Sequence, residues 1–194
     1  MIADSRVVIV ARRLDRAALE SLVGLGPSGS MVFEVTLDGE AAIEDIRWLA
    51  GIGAVTGAGT VMSVDSAQAA VDAGAQFLVS PYLDEGVVTW AADRGTPIAP
   101  GALTPTEIVR AWNLGAAAVK VFPASVAGPQ LLRELHGPLG HIPLMPTGGI
   151  SASNAASFLD AGAIAVGVGG WLTSARGGDL AARWSALEQA VRRD

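Results

Sequence analysis

Cysteine is absent from this 194-residue chain, which excludes disulfides, thiolate metal sites and a cysteine nucleophile. The absence also fits a reducing compartment. Long hydrophobic runs are missing too. The N-terminal region offers only Val7–Val10, flanked by Arg6 and by Arg12 and Arg13. That run is too short for a signal-peptide core, and no stretch approaches a membrane span, so a cytoplasmic protein with no membrane partner is expected. Positive charge is in deficit: the net charge is −6. Generic nucleic-acid binding is therefore not expected, and an anionic substrate would have to be drawn in by local groups against the global field. Histidine occurs only as His136 and His141. Both fall in the connection that precedes the seventh strand segment, so they are expected at the surface or at a cap, and no metal site is expected from them. Glu34 and Asp38 are the only obvious carboxylate ligands for a magnesium ion.

The scarcest reactive side chain is lysine. Of thirteen basic residues, only Lys120 is not an arginine. It lies in Ala116–Pro123, an apolar run that reads as a buried strand. An arginine stays protonated at any ordinary pH, whereas a lysine in apolar surroundings can lose its proton and act as a nucleophile. Lysine is almost never fully buried without a partner or a purpose. A chance survivor of an arginine bias would stay in solvent.

What is abundant is apolar surface, at 51% hydrophobic and 16% charged residues, as expected of a packed globule. The length suits one domain, residues 1–194. Strand-like runs occur at Val7–Val10, Val32–Leu37, Ala54–Thr56, Phe77–Val79, Pro97–Ala99, Ala118–Phe122, Leu144–Met145 and Ala165–Val168. Segments of helical spacing fall between them: Asp15–Val23, Glu40–Ala50, Val64–Ala73, Asp84–Ala92, Pro105–Leu114, Pro129–His136 and Ser153–Ala161. A last segment, Leu180–Val191, carries a stripe of Leu180, Trp184, Leu187 and Val191. Asp15, Ser63, Thr104 and Ser151 or Ser153 are suited to open helices. Eight strand–helix units predict an α/β fold of the (β/α)8 TIM-barrel type, a single compact domain. An open doubly wound sheet needs only five or six units. Asp72–Ala75 and Asp160–Ala163 repeat a turn that closes a helix and enters a strand, and the glycine there reads as a cap. The five tryptophans, at positions 48, 90, 112, 171 and 184, read as packing or subunit-contact residues rather than as a site.

In such a barrel the site is built at the C-terminal ends of the strands. Side chains alternate faces along a strand, so Glu34 and Thr36 share one face and Lys120 shares another with Ala118 and Phe122. The simplest assignment turns Glu34, Thr36, Lys120 and Phe122 inward. A carboxylate beside an amine suits Schiff-base chemistry, although a structural ion pair would use the same two residues. Gly148 and Gly149 follow the seventh strand, and Gly169 and Gly170 the eighth. Glycines there let the backbone approach an anion, as barrel phosphate sites require.

As an ordered set, the motifs resemble the 2-keto-3-deoxy-6-phosphogluconate (KDPG) and 4-hydroxy-2-oxoglutarate (KHG) aldolase family. They are Glu34–Leu37, Gly57–Val61, Gly74–Phe77 with Val79–Pro81, Pro100 and Gly101 with Thr104–Glu107, Lys120–Ala124 and Pro146–Ile150. The resemblance implies a lyase without metal or other cofactor that cleaves a 2-keto-3-deoxy sugar acid to pyruvate and an aldehyde, and a homotrimer. It implies that Lys120 forms the imine and Glu34 shuttles protons. It further implies that Thr60, Pro81, Phe122 and Thr147 line the pyruvate pocket, with Gly148, Gly149, Gly169 and Gly170 around the phosphate. Three departures stand out. Asp38 occupies a position where many members carry a carboxylate-binding arginine, and is expected to repel. Arg12, or Arg13, lies near the place of a second common arginine. Gly169 and Gly170 stand where Gly-Ser is frequent. Two other readings use the same residues: a non-covalent phosphosugar isomerase, epimerase or synthase, and a phosphosugar-binding relative with altered catalysis.

Overall fold

The computed structural model describes residues 5–27 and 29–192. Residues 1–4, 28, 193 and 194 of the expected 1–194 domain lie outside the described residues. Strands and helices alternate as β1 (Val7–Ala11), α1 (Arg16–Val23), β2 (Val32–Thr36), α2 (Ala42–Gly51), β3 (Val55–Gly59), α3 (Val64–Asp72) and β4 (Leu78–Val79). They continue as α4 (Glu85–Asp93), β5 (Ile98–Ala99), β6 (Gly101–Ala102), α5 (Pro105–Asn113), β7 (Val119–Val121), α6 (Ala124–Leu139) and β8 (Leu144–Pro146). The chain then runs through α7 (Ala155–Asp160), β9 (Val166–Val168), α8 (Gly170–Thr173) and α9 (Gly177–Val191). Strand pairing is parallel throughout the two sheets, as βαβ connections require.

Six strands form one sheet in the order β5-β4-β3-β2-β1-β9, and three form another in the order β6-β7-β8. The single continuous eight-stranded ladder expected from the unit count is therefore not what is seen. Its fifth strand is split into β5 and β6 by Pro100, whose nitrogen cannot donate to a ladder. The Pro100 carbonyl still accepts from Lys120 N at 2.9 Å. At the other seam Thr147 bridges Gly167, and Ile164 N donates to the Leu144 carbonyl at 3.0 Å.

Residue alternation assigns the two faces of the strands. Val7, Ile9, Phe33 and Val35 join the large core beneath the helices. Val8, Val32, Phe77, Val79, Ala99, Met145 and Ala165 form a second, inner cluster drawn from both sheets. That cluster lies on the side of the strands opposite the helix-side core. Towards the C-terminal ends the same inward rows continue as Glu34 and Thr36 on β2 and as Lys120 on β7. The polar residues thus stand on an apolar floor.

Helix starts follow local chemistry. The Asp15 carboxylate accepts from Ala18 N at 2.7 Å, and Asp84 does the same for Val87 N at 2.9 Å. Ser63 and Thr104 open α3 and α5 with capping boxes. Ser151 and Ser153 do not cap α7. That helix starts at Ala155, and Ser151 N instead donates to Asn154 Oδ1 at 2.9 Å. Gly74 and Gly162, with φ of +106° and +100°, close the repeated turn noted in the sequence, so they are structural. The sixth helical segment is longer than expected because Ala124–Ala127 also coil, with Gly128 at φ +65° breaking the run before Pro129. The four-residue α8 was not foreseen. Its sequence, Gly170–Thr173, is too short to show a helical period.

Candidate active site

Lys120 sits mid-strand in β7, with Val119 and Val121 directed into the helix-side core. Lys120 is 6% exposed and its Nζ donates to Glu34 Oε1 at 3.1 Å; Glu34 is fully buried. The two residues are 86 positions apart in sequence. β2 and β7 belong to different sheets, so the fold as a whole creates the contact. The second carboxylate oxygen, Glu34 Oε2, is buried and has no hydrogen-bond partner among the described residues. An orphaned buried acceptor costs about 1–3 kcal/mol, the kind of local cost found where a ligand or water completes the site. The Phe122 ring lies 5.3 Å from the lysine nitrogen and walls off one side of it.

Room for the carboxylate depends on β3. A Cβ on Gly59 would stand 2.6 Å from Glu34 Cγ and closer still to Oε1. Beyond Gly59, Thr60 adopts φ +57°, a conformation rare for a β-branched residue, and turns towards the same space. Pro81 is held from the other side. A Cβ on Gly101 would run into the Pro81 carbonyl. On β9, a Cβ at Gly167 would meet the Thr147 hydroxyl, and that hydroxyl is also buried without a partner among the described residues.

These groups surround one cavity of about 580 Å³ at the C-terminal ends of the strands. Lys120, Glu34, Thr60, Pro81, Phe122, Thr147 and Arg12 all line it, as do Gly148, Gly149, Gly169 and Gly170. The structure thus brings together every residue that sequence reasoning assigned to the lysine chemistry, the pyruvate pocket and the phosphate loops, with Arg12 rather than Arg13 in the wall. It adds Val10, Ile150, Ser151 and Trp171, which that reasoning did not place at a site. Trp171 corrects the reading of all five tryptophans as packing residues. It sits in α8, directly after Gly170, and its carbonyl accepts from Arg183 Nη1 at 2.5 Å. Its adjacency to the Gly169–Gly170 pair was the available signal.

Asp38 also departs from expectation. It is absent from the wall of this cavity and instead lines a neighbouring one of about 570 Å³ between the ends of β1 and β2 and the starts of α1 and α2. Its Oδ2 accepts from Arg12 Nε at 3.1 Å and Nη2 at 3.0 Å, and stands 3.1 Å from Arg13 Nε. Burial pushes the Asp38 carboxyl upward, but the Thr36 hydroxyl, Arg12 and Arg13 outweigh it and hold the group below the ordinary carboxylate range. A carboxylate neutralised by two guanidiniums does not repel an anion. His136 and His141 are exposed and remote from the cavity, and His141 stacks edge-on against Trp112 with centroids 6.2 Å apart. Among the described residues, no three His, Asp or Glu side chains are grouped so as to hold a metal ion. No helix of the described residues is long and apolar enough to cross a membrane.

Residues 3–184 match the family model described as KDPG and KHG aldolase. The chain belongs to that family. The aldolase is 34% identical to the KHG/KDPG aldolase of Escherichia coli strain K12 over 171 residues, which is 87% of this chain and 80% of that protein. A crystal structure of a 4-hydroxy-2-oxoglutarate and 2-dehydro-3-deoxyphosphogluconate aldolase superposes with a TM-score of 0.87 at 36% identity, covering 98% of this chain and 96% of the other. A KDPG aldolase from Legionella pneumophila, crystallised with pyruvate captured as a covalent carbinolamine, gives a TM-score of 0.82 at 26% identity, covering 97% and 93%. Membership makes this chain an aldolase, a lyase acting on a small molecule. The isomerase, epimerase and synthase readings fall with it.

Proposed function

We propose that this aldolase is a class I enzyme that cleaves 2-keto-3-deoxy-6-phosphogluconate to pyruvate and glyceraldehyde 3-phosphate through a Schiff base on Lys120. The observation that carries the reading is the buried contact between Lys120 Nζ and Glu34 Oε1, beside an unpartnered Glu34 Oε2. One oxygen can exchange a proton with the amine while the other faces the substrate. The covalent pyruvate carbinolamine of the Legionella pneumophila relative supports the same chemistry.

The unprotonated amine attacks the C2 ketone, forming a C–N bond, and the ketone oxygen takes up a proton. Loss of that hydroxyl as water gives an iminium. Glu34, directly or through a water, removes the C4 hydroxyl proton. The C3–C4 electron pair then moves to the iminium, releasing the aldehyde and leaving an enamine. Protonation at C3 and hydrolysis by water return pyruvate and the free amine. The Thr147 hydroxyl and the Arg12 guanidinium are suited to the substrate carboxylate. The backbone around Gly148, Gly149, Gly169 and Gly170 is suited to the phosphate, with Thr60, Pro81 and Phe122 shaping the pyruvate end. The two sheets are taken to act as one (β/α)8 barrel in a single domain. A homotrimer in the cytoplasm is the expected setting, and light scattering checks the assembly.

Borohydride reduction in the presence of pyruvate, followed by peptide mass spectrometry, tests the proposal. A reduced pyruvate adduct on Lys120, lost in Lys120→Arg together with activity, is the expected outcome. An active Lys120→Arg enzyme refutes it. A pyruvate-release screen over phosphorylated and unphosphorylated keto-deoxy acids tests the substrate. Turnover confined to unphosphorylated acids removes the phosphate assignment and leaves the lysine chemistry standing.

A further inference from the structure

We infer that Asp38 is a positioning residue that aims Arg12 at the substrate's carboxylate, so that an acid outside the cavity sets the affinity of the site for keto acids. The inference rests on the Schiff-base reading above, because it needs a keto-acid carboxylate in the cavity. Arg12 lies immediately past the end of β1, and its side chain is 60% exposed. A side chain so exposed samples many rotamers unless something holds it. Asp38 supplies the hold: Nε and Nη2 of the guanidinium both reach the single oxygen Oδ2, at 3.1 and 3.0 Å. Two donors on one acceptor fix the plane of the guanidinium as well as its place. The engaged edge leaves Nη1 and the outer N–H of Nη2 free, and Arg12 is in the wall of the substrate cavity while Asp38 is not.

Arg13 tightens the arrangement from behind. It turns out of β1 with φ +50°, and its Nε contacts both Oδ2 and the Asp38 carbonyl, at 3.1 and 3.3 Å. Asp38 is therefore shared by two arginines of which only one lines the substrate cavity. The guanidinium contacts all fall on Oδ2, so an amide nitrogen in the place of Oδ1 breaks none of them. Asp38→Asn accordingly keeps the shape and removes the charge.

Pyruvate-dependent borohydride trapping on Lys120, measured as a function of pyruvate concentration, separates affinity from chemistry. For Asp38→Asn the half-saturating pyruvate is expected to rise about fivefold, the upper range for an exposed ion pair, with the trapped plateau retained. Asp38→Glu is expected to restore part of the loss. In an Arg12→Ala background, Asp38→Asn should add nothing, because the residue it positions is gone. Unchanged half-saturation in Asp38→Asn, or an equal rise with and without Arg12, overturns the inference. Should Asp38→Asn fail to fold, Arg12→Lys gives the reading, since one nitrogen cannot make the two-donor contact. A half-saturation equal to wild type in that variant also overturns it. Failure of the wild-type enzyme to trap pyruvate on Lys120 would instead strike the Schiff-base reading itself.

Discussion

Replacing Gly59 by alanine should disable the enzyme without replacing a reacting group. The backbone of Gly59 is unexceptional, so the substitution adds volume and no backbone strain. Its methyl would stand 2.6 Å from Glu34 Cγ, roughly 1 Å inside ordinary contact. Glu34 is fully buried and cannot swing into solvent, and the wall opposite it carries Lys120. Relief must come either from displacing the carboxylate or from spreading β2 and β3, which are paired here from Glu34–Gly57 to Thr36–Gly59. Overpacking of this kind costs about 1–3 kcal/mol. For a chain of this length, 2 kcal/mol corresponds to a fall in Tm of about 4–8 °C. Displacement of the acid by several tenths of an ångström costs turnover, because positioned proton transfer is worth about 100-fold or more. Steady-state pyruvate release and thermal unfolding read the two effects on one preparation. We expect kcat lowered by about 100-fold and KM changed little. A Gly59→Ala enzyme with wild-type kcat would show that the 3.1 Å contact between Lys120 and Glu34 is not what proton transfer depends on.

Other substitutions test other parts of the structure. Gly167→Ala should press its methyl on the Thr147 hydroxyl and raise KM more than it lowers kcat, as steady-state kinetics would reveal. Thr104→Ala removes the cap of α5 and should cost about 1 kcal/mol, seen as a Tm lower by about 2–4 °C. The Glu107 carboxyl accepts from the backbone N–H of Leu103 and of Thr104, which hold it below the ordinary carboxylate range. Its contribution is present above the unfolded carboxylate range and is lost as pH falls through the lower folded value, so Glu107→Gln should differ from wild type at pH 7 and converge with it in acid. Asp45 behaves oppositely. Burial raises its carboxyl above the usual range, while Arg16, 2.7 Å away, works against that rise. Arg16→Ala should destabilise the protein by about 1–2 kcal/mol at pH 7, and denaturant titrations should show part of it recovered as falling pH protonates Asp45.

The parts legible in the sequence were those whose physics is local or whose residue type is rare. Alternation along Val32–Thr36 and Ala118–Phe122 needs no tertiary knowledge, and it turned Glu34 and Lys120 inward. A single lysine among arginines narrowed the candidate nucleophile to one atom. The two seams between the sheets were hidden for a different reason. Pro100 announces a missing donor, but whether the ladder skips it or ends there depends on the strand beside it. The short α8 gave no period to read, and Trp171 was lost with it.

Asp38 shows most clearly where one-dimensional reading stops. Judged by charge and position alone, an acid beside the keto-acid pocket should repel the substrate. The direction of its side chain follows from where β2 ends: Thr36 is the last inward residue, and beyond it the chain turns at Gly39, whose N–H donates to the Thr36 carbonyl at 3.2 Å. Asp38 is carried by that turn towards the end of β1, where Arg12 and Arg13 arrive from 26 and 25 residues earlier. Its charge is spent on them before the cavity is reached. The same acid that would weaken the site as an isolated charge can then strengthen it by orienting a cation. The sign of its effect is set by a contact between strand ends, and the Arg12→Ala background is where that sign can be read.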